Sequence, residues 1–114
     1  MSFNATSVAS GGVTVITLEG ELDSISAPLF RSEVQRVTEL EPVERLFLDM
    51  TALTYLSSAG LRGLVFARQK MRDDVDLVLV GVSGAVEQTI RMVGFHHSVA
   101  FSDVLPVDVV SEAS

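Results

Sequence analysis

The chain contains no cysteine among its 114 residues. That excludes disulfides and thiolate metal sites, and it is neutral about redox compartment. No apolar run approaches the ~20 residues that a membrane-spanning helix needs. The opening M-S-F-N-A-T-S lacks the positive start and apolar core of a secretory signal, so a cytoplasmic location is the expectation. Basic residues are few: 8 Lys and Arg stand against 15 Asp and Glu, for a net charge of −7. Apart from a cluster at Arg62, Arg68, Lys70 and Arg72, they are scattered singly. Phosphate contacts dominate nucleic-acid affinity, so an acidic chain without a basic stripe is a poor nucleic-acid binder. A role in gene control would run through another protein. Repeats, low-complexity segments, a P-loop and a dinucleotide G-x-G-x-x-G are all missing. The two histidines, His96 and His97, are adjacent, and such pairs usually diverge, so no metal site and no cofactor is expected.

What remains is a compact globular composition. With 47% apolar and 20% charged residues, the chain reads as one domain over residues 1–114 with a single core. Residues 3–9 read as a weak strand, Ser10-Gly11-Gly12 as a turn, and 13–18 as a strong β-branched strand, so the pair should form a hairpin. Glu19 to Ser26 is turn-like. Ser26 before Ala27-Pro28 fits an N-cap, and a helix follows to about Glu39, with Leu29, Phe30, Val34 and Val37 toward the sheet and Glu33 solvated. Glu41-Pro42 breaks it. Val43 to Asp49 is the central strand, and Met50 to Tyr55 a connecting loop. Asp76 to Val80 reads as a buried strand, and Ser83 caps a helix that Gly94 closes near Val93. Val99 to Phe101 is a short edge strand, and the chain should fray from about Leu105. The order implies an α/β fold: a mixed, mainly parallel sheet of four to five strands packed with three to four helices.

The stretch Leu46 to Met71 organises the rest. A strand leads to a join at Ser57, Ser58, Ala59 and Gly60, and a helix continues with Leu61, Leu64, Ala67 and Met71 on one face at about 100° per residue. A hydroxyl at that join sits where unpaired N–H groups and the helix dipole favour an added anion. The alternative is that the serines only cap the helix, because a serine oxygen readily accepts a first-turn N–H.

The run D-M-T-A-L-T-Y-L-S-S-A-G-L-R resembles the signature of the STAS domain of bacterial anti-sigma factor antagonists. G-E-L-D at Gly20 to Asp23, and L-V-G-V-S-G-A-V-E-Q-T-I-R-M-V-G-F at Leu79 to Phe95, resemble further family segments in the family's order, so the likeness spans about residues 12 to 104. It implies a STAS fold and a partner switch: the chain binds an anti-sigma factor serine kinase when Ser58 is unphosphorylated, phosphorylation ends the binding, and a PPM-type serine phosphatase restores it. Ser58 matches the family's acceptor serine, with Ser57 the weaker candidate. The better-known pattern has Asp where this chain has Ser57. Acidic residues matching Asp23 and Asp49 flank the acceptor in the family. Both Asp residues also suit turns and caps. Gly60 and Arg62 fall beside the join. On the same helix wheel Phe66 falls nearly opposite the buried face, as an exposed partner contact or as a residue covered by the C-terminal segment.

Two other classes are weighed against the switch. A STAS scaffold that is never phosphorylated would bind a partner constitutively, or a small ligand near Asp23. A serine hydrolase would want G-x-S-x-G with a base in reach, whereas the join reads Y-L-S-S-A-G. The expectation is a binding protein, not an enzyme.

Overall fold

The computed structural model describes residues 2–40 and 42–106. Two strands come first, β1 (Phe3–Ser10) and β2 (Val13–Leu22), followed by helix α1 (Ala27–Leu40). Next come β3 (Arg45–Leu56), α2 (Ser58–Lys70), β4 (Asp76–Val80) and α3 (Gly84–Met92). A short 3-10 turn at Phe95–His97 leads into β5 (Ala100–Ser102). The sheet order is β1-β2-β3-β4-β5. The first pair is antiparallel, closed by a turn in which Gly11 and Gly12 have φ of 57° and 84°, and every later pair is parallel. Each parallel step goes through a helix in the same direction across the sheet. Right-handed crossovers then place all three helices on one face.

The side-chain period of 2 sorts the strands accordingly. Ile16, Leu18, Leu46, Leu48, Met50, Leu77 and Leu79 meet Phe30, Val34, Leu64, Ala67 and Ile90 in the main core. The other face carries a smaller cluster of Val15, Phe47, Val78 and Val80. The Arg45 guanidinium lies 4.8 Å from the Phe47 ring there.

Four expectations change. Strand β2 continues to Leu22, so the first half of the stretch assigned to a turn is ladder. Strand β3 does not end at Asp49: the segment expected to be a loop pairs with β2 as far as Leu56. Two register shifts explain this. Thr17 pairs with Asp49 but Glu19 with Ala52, and Gly20 pairs with Leu53 but Glu21 with Tyr55. Each adds one residue to β3, as a bulge does. Leu29 does not face the sheet. It is 60% exposed, because Ala27, Phe30, Val34 and Val37 already fill the inward stripe of α1. Glu33 is not solvated: it bonds Ser7 of β1 at 2.5 Å and Arg36 at 2.6 Å, which ties α1 to the sheet edge. The part of the expected frayed tail from residue 107 onward lies outside the described residues.

Candidate functional site

Strands β2 and β3 end together, Leu22 beside Leu56, and the β3–α2 join sits at that end. Ser57 keeps an extended backbone (φ −86°, ψ 174°) while its Oγ accepts the Gly60 N–H at 3.1 Å. Its own N–H donates to the Leu22 carbonyl at 3.0 Å, and its carbonyl accepts the Leu61 N–H at 2.8 Å. Ser57 is therefore the N-cap of α2, satisfying one of the orphan donors of the first turn. Ser58 is the first helical residue and is exposed. Its hydroxyl has no hydrogen-bond partner among the described residues. The two serines thus divide the alternatives left open by the sequence: one caps, and the other presents a free hydroxyl at a helix N-terminus.

Gly60 makes this join possible. A Cβ there would run into the Leu22 carbonyl oxygen and lie 2.9 Å from the carbonyl carbon. Only a bare backbone lets α2 start this close to the end of β2. One turn on, Gly63 leaves the space that Phe30 of α1 approaches.

Asp23 comes to the same end of the sheet, since Leu22 pairs with Leu56. Its carboxylate Oδ1 accepts the N–H groups of Ile25 at 3.0 Å and Ser26 at 3.1 Å. The Ser26 Oγ accepts the Asp23 N–H at 2.9 Å in return. This is a capping box with Asp in the leading place. Ser26 therefore does not cap α1 forward, as the sequence suggested; its hydroxyl points back and lies 2.8 Å from the Glu21 carbonyl. The Ser26 N–H, and after it the Ile25 N–H, holds the Asp23 carboxyl below its ordinary value against a smaller opposing effect of desolvation.

Asp49 does not join them. It lies within β3, paired with Thr17 and Val80, on the face opposite the helices. About eight residues of strand, on the order of 20 Å, separate it from the join. Its carboxylate accepts the Thr51 hydroxyl at 2.7 Å and the Thr51 N–H at 3.1 Å, at the first bulge of β3. The expectation that it ends a strand beside the serine is corrected: it stabilises a bulge.

Arg62 is exposed, one turn along α2 from Ser58. Phe66 is not opposite the buried face. It is half-buried and packs against the main core, at the flank of the arc formed by Gly60, Leu61, Gly63, Leu64 and Ala67. Two side chains that the sequence did not single out do project at this end. Tyr55 is 51% exposed beside Glu21, and Ile25, at 81%, lines a hollow with Leu29, Phe3 and Asp23.

The histidines are elsewhere. Their rings are 3.9 Å apart on the turn that follows α3. His97 lines a hollow with Arg45, Asp76 and Arg68, where β3 and β4 begin. Ser57 and Ser58 lie at the opposite end of those strands, so no histidine reaches them. No group of residues suited to a metal ion occurs among the described residues. None of the described helices is long and apolar enough to cross a membrane.

A family model for the STAS domain matches residues 4–107. The chain belongs to the STAS domain family. Among curated relatives, the anti-sigma-F factor antagonist RsfB of Mycobacterium tuberculosis is 27% identical over 93 residues, covering 82% of this chain and 75% of that protein. An anti-sigma factor antagonist from Mycobacterium paratuberculosis has the same fold, with a TM-score of 0.82 at 23% identity over 97% of this chain and 93% of the other. So does the phosphorylated form of the Bacillus cell fate determinant SpoIIAA, with a TM-score of 0.70 at 15% identity over 99% of this chain and all of the other (100%). Five strands and three helices, with the helix-capped join at the end of the central strand, are this STAS domain's version of that fold.

Proposed function

We propose that this STAS domain is an anti-sigma factor antagonist that works in the cytoplasm as a phosphorylation-controlled partner switch. In this reading it binds an anti-sigma factor kinase while Ser58 is unmodified, and so promotes sigma-dependent transcription. Phosphate on Ser58 releases the partner, and a PPM-type phosphatase resets the switch. The protein is then substrate and ligand, not enzyme.

One observation carries the reading: Ser58 is exposed and unbonded at the first position of α2, while Ser57 does the capping. The family-like Asp is absent at position 57, but serine and aspartate are comparable N-caps. The replacement therefore keeps the join's geometry. A phosphate brings about −1.5 to −2 charges. At a helix N-terminus that charge is favourable to the fold. Against a partner surface fitted to a neutral hydroxyl it is not, and tenfold weaker binding takes only about 1.4 kcal/mol. The switch needs no refolding. Tyr55, Ile25 and Leu29, exposed around the same end, supply apolar area for the partner.

Intact-mass analysis and site mapping of protein from its native host test the proposal. A phosphate on Ser58 is expected. A phosphate on Ser57 alone overturns the assignment of Ser58 as acceptor, and a phosphate on neither serine under any growth condition favours the constitutive scaffold. Ser58→Asp is expected to keep the native fold and to bind the kinase at least tenfold more weakly. Normal binding by this variant would contradict the switch.

A further inference from the structure

We infer that Arg62 is the built-in receiver of a phosphate on Ser58, so that modification withdraws the arginine from the partner-facing surface as well as adding charge. The inference rests on the proposed modification of Ser58 and specifies what it does.

The geometry comes from α2 itself. Ser58 and Arg62 are four residues apart in a continuous helix from Ser58 to Lys70. Residues at that spacing have Cβ atoms about 5–6 Å apart on one face. Side chains on a helix lean toward its N-terminus, so the long arm of Arg62 is directed back over the turn that holds Ser58. An anion that precedes its cation by four residues is also the favoured order.

Arg62 is available for this role. Among the described residues it makes no ion pair, hydrogen bond or ring contact, and α2 contains no acidic residue to compete. Most other arginines are engaged. Arg36 pairs with Glu33, Arg72 with Asp74, Arg91 with Glu87, Arg45 covers Phe47, and Arg68 donates to the carbonyls of Val75 and Arg72. Ser58 is equally unencumbered, because the cap is made by Ser57. A phosphoserine offers three acceptor oxygens, and a guanidinium fork can take two of them at once. On the unmodified protein, Ser58 and Arg62 form one exposed stripe of hydroxyl and free cation. On the modified protein the two become a closed pair, and the partner loses a cation it could have paired with.

The test uses the full chain with phosphoserine installed at position 58 during synthesis, followed by phosphorus NMR across pH. The Arg62→Gln variant should raise the second phosphate pKa by about 0.15–0.4 unit relative to the parent, as removal of an i,i+4 cation predicts. Arg62→Lys should recover part of the shift, and Lys70→Gln, which changes charge by the same amount farther along α2, should leave it unchanged. Equal phosphate pKa values in the parent and Arg62→Gln, or an equal shift in Lys70→Gln, would overturn the pairing. Since the phosphate is installed chemically, the result stands apart from whether a host kinase modifies Ser58: unmodified Ser58 in the host sinks the switch, and an unshifted titration sinks the Arg62 pairing.

Discussion

Gly60→Ala isolates the contact that seats the candidate site. The new methyl would lie inside the van der Waals shell of the Leu22 carbonyl oxygen and 3.0 Å from the Leu22 Cγ. A side-chain obstacle could rotate away. A backbone carbonyl cannot, and this one also accepts the Ser57 N–H at 3.0 Å. Relief requires the start of α2 to back away from β2, which stretches that bond. Overpacking of this kind costs about 1–3 kcal/mol. Alanine's better helix propensity returns up to about 1 kcal/mol. The expected net loss is about 1–2 kcal/mol, and near 1 kcal/mol a domain of this size loses roughly 4–8 °C in Tm.

Gly84→Ala is the matched control, because Gly84 begins α3 with nothing within 4 Å of its would-be Cβ and no positive φ. There the same substitution should be neutral or stabilising by up to about 1 kcal/mol. Urea unfolding of the two variants beside the parent decides the matter. If Gly60→Ala is as stable as Gly84→Ala, the close approach of α2 to β2 is not what the glycine is for. The proposed switch adds a second readout: if the chain binds an anti-sigma factor kinase through Ser58, that binding should weaken in Gly60→Ala even though Gly60 is buried, because Ser58 moves with the helix start.

Ser57→Ala removes the α2 cap and should cost about 1 kcal/mol in thermal or urea unfolding, while Ser58 stays chemically competent; loss of modification without loss of stability would assign the acceptor role to Ser57. Phe66→Ala should destabilise by about 1–3 kcal/mol, less than the 3–5 kcal/mol of a fully buried ring, and a stability unchanged from the parent would show that its packing against the core is immaterial. The hydrogen bond from Arg36, and then that from Ser7, holds the Glu33 carboxyl below its ordinary 4.5, with desolvation opposing. A depressed folded value gives stability that is present above 4.5 and lost as pH falls below it; Glu33→Gln should therefore be less stable than the parent at pH 7, and the gap should narrow on acidification below 4.5. A gap that is constant from pH 7 to pH 3 contradicts this linkage.

Much of the fold is written in local signals that the structure repeats. The Gly11-Gly12 turn, the N-caps at Ser57 and Ser83, and Gly94 at φ 80° after α3 all stand where turn and cap chemistry places them. The second half of β3 is not written that way. A strand alternates with period 2, but Met50, Leu53 and Leu56 are buried at a spacing of three. Each interval contains one bulge, which adds a residue and carries the next apolar side chain back to the core face. Read without the partner strand, D-M-T-A-L-T-Y has neither strand nor helix period and passes for a loop. Asp49 was misplaced for the same reason, since the apparent strand end is only its first bulge.

The site was legible where chemistry is local and illegible where it depends on helix phase. The serine pair at a strand-to-helix join needs only sequence order to be seen. Its division of labour needs the backbone, because the cap is whichever serine keeps an extended ψ, and that is Ser57 at 174°. Leu29 and Phe30 are adjacent on α1 and so about 100° apart; both cannot face the sheet, and the repeat Phe30, Val34, Val37 claims the inward side. That leaves Leu29 in solvent next to Ile25 and Asp23, where a partner surface can use it. Phe66 errs in the other direction. The buried arc of α2 is widened by Gly63, a residue with no side chain to declare itself apolar, through the approach of Phe30. Counting Gly63 as buried turns the outward centre of the helix away from Phe66 and onto Ser58, Arg62 and Gln69, all of them exposed. The stripe most available to a partner is therefore polar, and it starts at the hydroxyl that a phosphate would change.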